Sequence, residues 1–259
     1  MTTMAIAKPA NGIGQSLSLA WRGLVQIRHN PFELGDLSIQ PIMFVLLFTY
    51  LFGGAMFGDP VKYLQFFLPG IVVQTGLMAT MNTGMGLSMD LHKGFFDRLR
   101  ALPIARWAPL AGRVISDCVK QAWSMAVLMG TGYAIGFRAT QGVVGVLGAF
   151  GLMLLFSMLF SWFAVLIGAI AGEPEKVMMY GFTVVFPLTF LSNAFVQTST
   201  MPGWLQAFVK INPVTHMSDA LRGLLTGGPV LQHALWGLLG GLLVAAVCAP
   251  LAVTRLKRR

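Results

Sequence analysis

The chain has 259 residues, of which 56% are hydrophobic and only 10% are charged, and its formal net charge is +9. A soluble domain of this size cannot cover so much apolar surface, so the composition indicates an integral membrane protein and leaves no room for a separate soluble domain. The basic residues cluster at the ends of apolar runs, which favours membrane orientation and contact with anionic lipid over nucleic-acid binding.

Residues 1–37 are predicted to form a cytoplasmic N-terminus that contains an amphipathic helix. Between Gly14 and His29, apolar residues fall on one side of a helix and polar residues fall on the other. Such a helix lies in the membrane interface, with Trp21 at the depth of the lipid headgroups. An equally good interpretation is a simple membrane anchor without a mechanical role.

Six long apolar runs follow, each close to or above the roughly 20 residues that cross a bilayer core. They predict an all-α membrane domain over residues 38–254, followed by a basic cytoplasmic tail at 255–259. The six predicted transmembrane helices lie near 38–58, 66–89, 110–136, 143–171, 177–195 and 231–254.

The distribution of basic residues predicts that both termini are cytoplasmic. With the N-terminus inside, the inner segments carry Lys8, Arg22, Arg28, Lys93, Arg98, Arg100, Arg106, Arg113, Lys176, Arg255, Lys257, Arg258 and Arg259. The outer segments carry only Lys62, Arg138, Lys210 and Arg222. An excess of Lys and Arg on the cytoplasmic side is the usual orientation signal of membrane proteins.

A charged stretch at 92–106 separates the second span from the third. On a helix, one face would carry Lys93, Asp97 and Arg100, and another would carry Phe95, Leu99 and Leu102. Pro103 would end this short amphipathic helix. Its two-faced pattern favours a docking element, although a solvated basic loop is the ordinary alternative.

The sequence of this stretch, GFFDRLRALPIAR from Gly94 to Arg106, resembles the inner-loop motif of type 2 ATP-binding-cassette exporter permeases. Within that family it is most similar to the daunorubicin-resistance branch. The resemblance implies a coupling helix that sits in a groove of a separate ATPase subunit. It implies coupling roles for Gly94, Phe95, Phe96, Asp97, Arg98, Leu99, Arg100 and Pro103. The N-terminal amphipathic helix likewise resembles the elbow helix of the family.

The second span carries a stripe of flexible thioethers and amides, which suits bulky apolar ligands. The stripe contains Gln74, Met78, Met81, Met85 and Met89, with Asn82 at its flank. A substrate pathway is predicted at Gln74, Met78, Met81, Asn82, Met85, Phe190 and Asn193. The alternative is ordinary packing of the stripe against a neighbouring span.

The third span contains two charged residues, Asp117 and Lys120, at helical spacing. Bare charges within a membrane cost roughly 2.5–3.5 kcal/mol each on insertion scales, so mutual pairing near the inner interface is expected. A proton relay is less well supported, because no second acid lies nearby in the span.

Residues 196–230 are interrupted by prolines and predict two short helices at the outer interface, anchored by Trp204 and Phe208. The stretch from Leu191–Phe195 to Arg222–Leu225 again resembles the exporter family, which carries re-entrant outer helices between spans five and six. His216, Asp219 and Arg222 could share a helical face, and pairing is favoured over catalysis.

The chain has no G-x-x-x-x-G-K-[ST] motif, nor H-E-x-x-H or G-x-S-x-G. It is therefore predicted to lack an ATPase site, a metal site and a cofactor of its own. ATP and Mg would be bound by the partner ATPase subunit.

The resemblance implies a six-span permease in the bacterial plasma (inner) membrane that works with a second permease subunit, identical or different, and two copies of the ATPase subunit. Its implied substrate is amphiphilic: a drug, an antibiotic or a lipid. The alternative within the family is export of lipid-linked polysaccharide. Of the other classes, an ion-coupled secondary transporter usually needs internal repeats and ionisable groups at mid-membrane. An intramembrane enzyme needs a nucleophile and base, which the sequence does not present.

Overall fold

A computed structural model describes Gly14, Trp21 and residues 31–93 and 108–257. Its helices are α1 (Pro31–Phe57), α2 (Pro60–His92), α3 (Ala108–Ala134), α4 (Gly142–Ala171), α5 (Pro174–Phe190), α6 (Gly203–Ile211), α7 (Pro213–Thr226) and α8 (Leu231–Lys257), with a 3-10 turn at Thr198–Thr200. No strand occurs within these ranges, so the all-α prediction is confirmed for this part of the chain.

Within the described part of the chain, four helices are long and apolar enough to cross a membrane. The segments are Ser38–Phe57 of α1, Pro60–His92, Gly142–Ala171 and Leu231–Arg255 of α8. They correspond to four of the six predicted spans and make the chain membrane-integral. α3 and α5 are not among them: α3 carries Asp117 and Lys120 in its first half, and α5 has only 17 residues. Six spans therefore stay a prediction.

Three helix boundaries differ from the predicted spans by five residues or more, and the first is the start of α1, at Pro31 rather than near 38. α2 begins at Pro60 rather than near 66, because the Asp59 side chain accepts a hydrogen bond from the Val61 amide at 2.8 Å and Pro60 suits the first helical turn. α5 ends at Phe190 rather than near 195, because the chain then turns back onto α2. There, a Cβ on Gly70 would lie 2.3 Å from the Ala194 carbonyl oxygen, so the close approach requires glycine.

α2 is the centre of the bundle and packs against α1, α3, α4, α5 and α7. Its backbone touches that of α4, since a Cβ on Gly168 would lie 2.4 Å from the Gly84 carbonyl oxygen. Small residues at such crossings let membrane helices approach closely enough for dispersion contacts to hold them together. The largest fully buried side chains of α2 are Tyr63, Leu64, Phe67, Leu68, Ile71, Leu77, Met81 and Leu87.

α5 lies at the edge of the bundle. It buries only one narrow stripe, formed by Val177, Gly181, Val185 and Thr189. The large apolar side chains on the rest of its surface are exposed: Met178, Met179, Tyr180, Phe182, Val184, Phe186 and Phe190. Within a single copy of the chain, α5 therefore presents an unpartnered apolar face, as α1 and α8 also do.

The two short helices predicted after the fifth span are confirmed as α6 and α7. Asn212 stands at the joint between them: its side-chain oxygen accepts from the Val214 amide at 2.9 Å. Its side-chain nitrogen donates to the carbonyls of Leu188 and Leu191 at 2.8 and 2.7 Å. The start of α7 is thereby tied to the end of α5, whereas the depth of both short helices relative to a membrane stays a prediction.

Candidate coupling and substrate sites

The predicted coupling residues, Gly94 to Arg100 and Pro103, lie outside the described residues. The structure nevertheless places the ends of their segment, because α2 ends at His92 and α3 begins at Ala108. The segment therefore joins two long helices, one of which is the central helix of the bundle. The assignment of ATPase coupling to these residues stays a prediction.

A hydrogen bond links the two helices that this segment joins. The Thr83 hydroxyl of α2 donates to an Asp117 carboxylate oxygen of α3 at 2.5 Å. At 1.5 Å per residue, both residues lie about 14 Å along their helices from the ends of the segment. A charged acceptor strengthens a hydrogen bond, so this contact helps to offset the cost of burying part of the Asp117 carboxylate. The predicted Asp117–Lys120 pairing stays a prediction.

The methionine stripe of α2 is largely covered by its own bundle. Gln74 and Met81 are buried, Met78 and Met85 are half-buried, and Asn82 is exposed. A Cβ on Gly181 would lie 2.2 Å from the Met81 sulfur, so α5 rests directly on the stripe there. Packing thus accounts for Met81, while Asn82 at the flank and Met89 at the end of the stripe are the residues exposed to a ligand.

Phe190 belongs to a column of stacked aromatic rings that the sequence analysis did not identify. The ring centroids of Phe182, Phe186, Phe190 and Phe195 follow one another at 4.8, 4.1 and 4.6 Å. The first three rings are partly exposed along α5, whereas Phe195 is buried against the bundle. The spacing of four residues from Phe182 to Phe186 and from Phe186 to Phe190 was the signal that could have revealed the helical part of the column.

Asn193 is buried, and its contacts are structural. Its side-chain nitrogen donates to Asp219 at 2.7 Å, and Arg222 forms an ion pair with the same carboxylate oxygen at 2.5 Å. Arg222 also donates to the Phe66 carbonyl at 3.1 Å and lies 4.1 Å from the centre of the Phe66 ring. The structure thus shows Asp219 and Arg222 paired, as the sequence analysis favoured, and the pair ties α7 to the N-terminal part of α2.

Unsatisfied amide oxygens mark two of the predicted pathway residues. The Gln74 Oε1 and Asn193 Oδ1 atoms are buried and have no hydrogen-bond partner within the described part of the chain. Gly70, one turn from Gln74 on α2, contacts Ala194, so both amides lie near the junction of α2 with the turn after α5. An unmet acceptor is costly in an apolar setting, which is consistent with a polar ligand or water at this junction.

The cavity between α2, α3 and α4 is too small for a drug. It is lined by Gly76, Gln121, Ser124, Met125 and Met153, among others, and its volume is about 10 Å³. That space holds a single water molecule, whereas drug-sized ligands occupy several hundred cubic ångströms. Among the described residues, no three His, Cys, Asp or Glu side chains are grouped so that they could hold a metal ion.

Comparison with known proteins identifies the family. The model of the ABC-2 type transporter family matches residues 14–226. The daunorubicin resistance ABC transporter permease protein DrrB1 of Streptomyces coeruleorubidus is 42% identical over 218 residues, which cover 84% of this chain and 77% of that protein.

Two further relatives are more distant. A Mycobacterium tuberculosis protein named "Probable doxorubicin resistance ABC transporter permease protein DrrC" is 26% identical over 83% of this chain and 78% of its own length. Nodulation protein J of Rhizobium meliloti is 28% identical over 98% of this chain and 96% of its own length. From the family match and the extent of these similarities, we conclude that the chain belongs to the ABC-2 type transporter family.

Proposed function

We propose that this chain is the membrane-spanning permease subunit of an ATP-binding-cassette exporter that moves amphiphilic drugs, antibiotics or lipids out across the bacterial plasma membrane. The observation that carries the proposal is the 42% identity to a daunorubicin resistance permease over 84% of the chain. Energy would come from a separate ATPase subunit that binds ATP and Mg, because the chain has no phosphate-binding loop motif.

The proposed topology has six spans, α1 to α5 and α8, with both termini in the cytoplasm. With 17 residues, α5 rises about 25 Å, close to the ~30 Å hydrocarbon core. The exposed Ile115, Val119 and Trp123 of α3 also favour an apolar environment. α6 and α7 would then be re-entrant helices on the outer side, with Trp204 and Phe208 at the interface.

We further propose that a second permease subunit, identical or different, packs against the face that contains α5. This face is large and apolar, and α5 is held to its own chain by a single buried stripe. In a membrane such a face contacts either lipid or another helix, and the single buried stripe leaves most of α5 open to a second subunit. Two subunits that meet here would enclose a passage between them, which the 10 Å³ cavity within one copy cannot provide.

The aromatic column of α5 would form one wall of that passage. Planar aromatic compounds stack on aromatic rings, and each favourable ring pair contributes about 0.5–1.5 kcal/mol beyond its buried area. Of the residues proposed for the pathway, Phe190 lies in the column and Asn82 is exposed on α2. Met78 and Met85 would contribute at the margin, whereas Gln74, Met81 and Asn193 would support the wall from behind.

Force would reach these helices through residues 94–103. When two ATPase subunits close on ATP, the segment would move, and α2 and α3 would move with it because the Thr83–Asp117 hydrogen bond joins them. The central position of α2 would distribute this motion to the five helices that pack against it.

Drug resistance in a sensitive bacterium tests the proposal. We expect the chain, expressed with an ATP-binding-cassette ATPase subunit from its own organism, to raise the inhibitory concentration of daunorubicin. The chain alone, and the ATPase subunit alone, are the controls. Equal resistance with the chain alone would refute dependence on a separate ATPase. No resistance to any amphiphilic drug from a complex that co-purifies and hydrolyses ATP would refute drug export.

A further inference from the structure

Two histidine rings meet where α7 packs against α8. The Nδ1 atoms of His216 and His233 are 3.3 Å apart, which is hydrogen-bonding distance. The two ring centroids are 5.6 Å apart, and the Trp236 ring lies 6.2 Å from that of His216 on the other helix. Both histidines are partly buried, so water does not fully screen their interaction.

Chemistry allows this contact when the pair is neutral or singly protonated, but not when both rings are protonated. A hydrogen bond between two imidazole nitrogens needs a proton on one of them and a lone pair on the other. When both rings are protonated, both Nδ1 atoms are donors and the two positive charges repel each other. We propose that His216 and His233 share one hydrogen-bonding proton and thereby latch α7 onto α8, and that protonation of both rings releases the latch.

The surrounding charges set the direction of this response. Asp219 lies on α7, with one carboxylate oxygen 4.0 Å from His233 Nδ1 and the other paired with Arg222. α4 contains no titratable residue, and the outer half of α2 contributes Lys62, which is exposed, and Tyr63, whose hydroxyl donates to the Phe195 carbonyl. Among the described side chains, the Asp219 carboxylate is therefore the only nearby group that favours the doubly charged pair, and one of its two oxygens is already paired with Arg222.

These surroundings shift the pKa of His216. Burial lowers its pKa, and the neighbouring His233 lowers it further, whereas Asp219 and a backbone group of Lys210 on α6 act in the opposite direction. Because the pKa of His216 is lowered in the folded chain, the contact stabilises the fold fully when the pH is above about 6.5, which is the ordinary pKa of histidine. Stability is lost as the pH falls below that value and through the lowered pKa. In the proposed topology the pair lies on the outer side of the membrane, so external acidification would release the latch.

Nitrogen NMR of the full chain in lipid nanodiscs tests the shared proton. The chain has four histidines, and His29→Gln and His92→Gln identify the other two signals while leaving the pair intact. At pH 8 we expect a scalar coupling between the two Nδ1 nuclei across the hydrogen bond, and at pH 5 we expect none. Absence of this coupling at pH 8 would overturn the shared proton.

A second arm measures the pKa of His216. In His233→Gln the charge of the neighbouring ring is removed, so the midpoint of the His216 titration should rise. An unchanged midpoint would mean that the two rings titrate independently, and would refute the latch.

The release of the helices is read from Trp236, whose emission is isolated by subtracting a Trp236→Phe variant. We expect its emission to change between pH 7 and pH 5 with the midpoint of the His216 titration, and to lose that change in His233→Gln. A shared proton without any pH-dependent change at Trp236 would refute the release. Neither measurement depends on transport, so these outcomes are separate from those that test drug export.

Discussion

At the scale of single residues, Asp219–Arg222 and Glu173–Lys176 are ion pairs with the same sequence spacing and different surroundings. Asp219 and Arg222 are largely buried, and both also bond to groups on other elements. Glu173 and Lys176, 3.0 Å apart, are about half exposed, and the bond to Glu173 raises the pKa of Lys176. Comparing the two pairs therefore shows how burial changes the contribution of a salt bridge to the stability of the chain.

We predict that Asp219→Asn destabilises the chain strongly. The amide can keep a contact with Asn193, but it leaves the Arg222 guanidinium without its counter-charge in a poorly solvated site. Removing one partner of a fully buried pair costs about 3–5 kcal/mol, and this partly accessible pair should cost roughly 2 kcal/mol. The apparent melting temperature of the purified chain in detergent measures the loss.

Glu173→Gln is the control for that substitution, because water solvates its partner when the pair is broken. Its melting temperature should stay close to that of the unmodified chain. Equal shifts for the two variants would contradict the role of burial that the comparison assigns.

The spacing of Asp219 and Arg222 on one helix was enough to predict their pairing from the sequence, because neighbours at three residues always meet on a helix. The contact between His216 and His233 could not be predicted. Their helices are separated by the turn at 227–230, and only the packing of α7 on α8 brings their rings together. Tertiary contacts of this kind leave no periodic signal in a single sequence.

At the scale of the elements, the central helix was predicted from hydropathy, but its role was not. The methionine stripe of α2 had two interpretations, and sequence spacing cannot separate a ligand surface from a packing surface. In the structure, α5 lies against Met81 at Gly181, so packing is the better explanation of that residue. The exposed aromatic column on α5 then becomes the stronger candidate for contact with substrate.

We predict that Phe186→Ala lowers drug export by about tenfold or more while leaving the chain folded. Phe186 is partly exposed, stacks on both Phe182 and Phe190, and sits in the middle of the column. Truncation of an aromatic anchor at the centre of an interface costs about 2 kcal/mol or more. ATP-dependent drug uptake into inverted membrane vesicles is the measurement.

Leu147→Ala on α4 is the matched control, because Leu147 is also a large, exposed apolar residue of a long helix but lies outside the column. It should leave uptake nearly unchanged. If both variants transport alike, the column contacts only lipid.

We predict that Thr83→Val separates ATP hydrolysis from transport. Valine has nearly the shape of threonine but cannot donate to Asp117, so α2 and α3 lose their hydrogen bond and the carboxylate loses a partner. The amount of drug moved per ATP hydrolysed should fall several-fold, and Thr83→Ser should restore it.

Thr131→Val is the control in the neighbouring helix, since the Thr131 hydroxyl bonds only to the Val127 carbonyl of α3 in the structure. A loss of coupling as large in Thr131→Val as in Thr83→Val would assign the effect to general helix packing.

At the scale of the whole molecule, composition alone predicted a membrane protein, and the inner-loop motif predicted its family. The number of spans is harder to predict from hydropathy than the class of protein, because α3 contains charged residues and α5 is short. Hydropathy measures the average environment of a segment, whereas a span at a subunit interface can carry polar groups that face protein. Hydropathy therefore miscounts transmembrane helices mainly at segments of this kind.

The central claim is that ATP hydrolysis in a partner subunit drives drug across the membrane through this chain, with residues 94–103 as the link. The most direct test is ATP-dependent daunorubicin uptake into inside-out liposomes that contain the chain and its ATPase subunit. We predict uptake only when both subunits and ATP are present. Phe95→Ala or Phe96→Ala should lower uptake far more than Lys93→Ala. Aromatic side chains buried at the centre of an interface contribute more to its binding free energy than charged side chains at its edge. Uptake or ATP hydrolysis by the chain without the ATPase subunit, or equal and small effects of all three substitutions in an intact complex, would contradict the account.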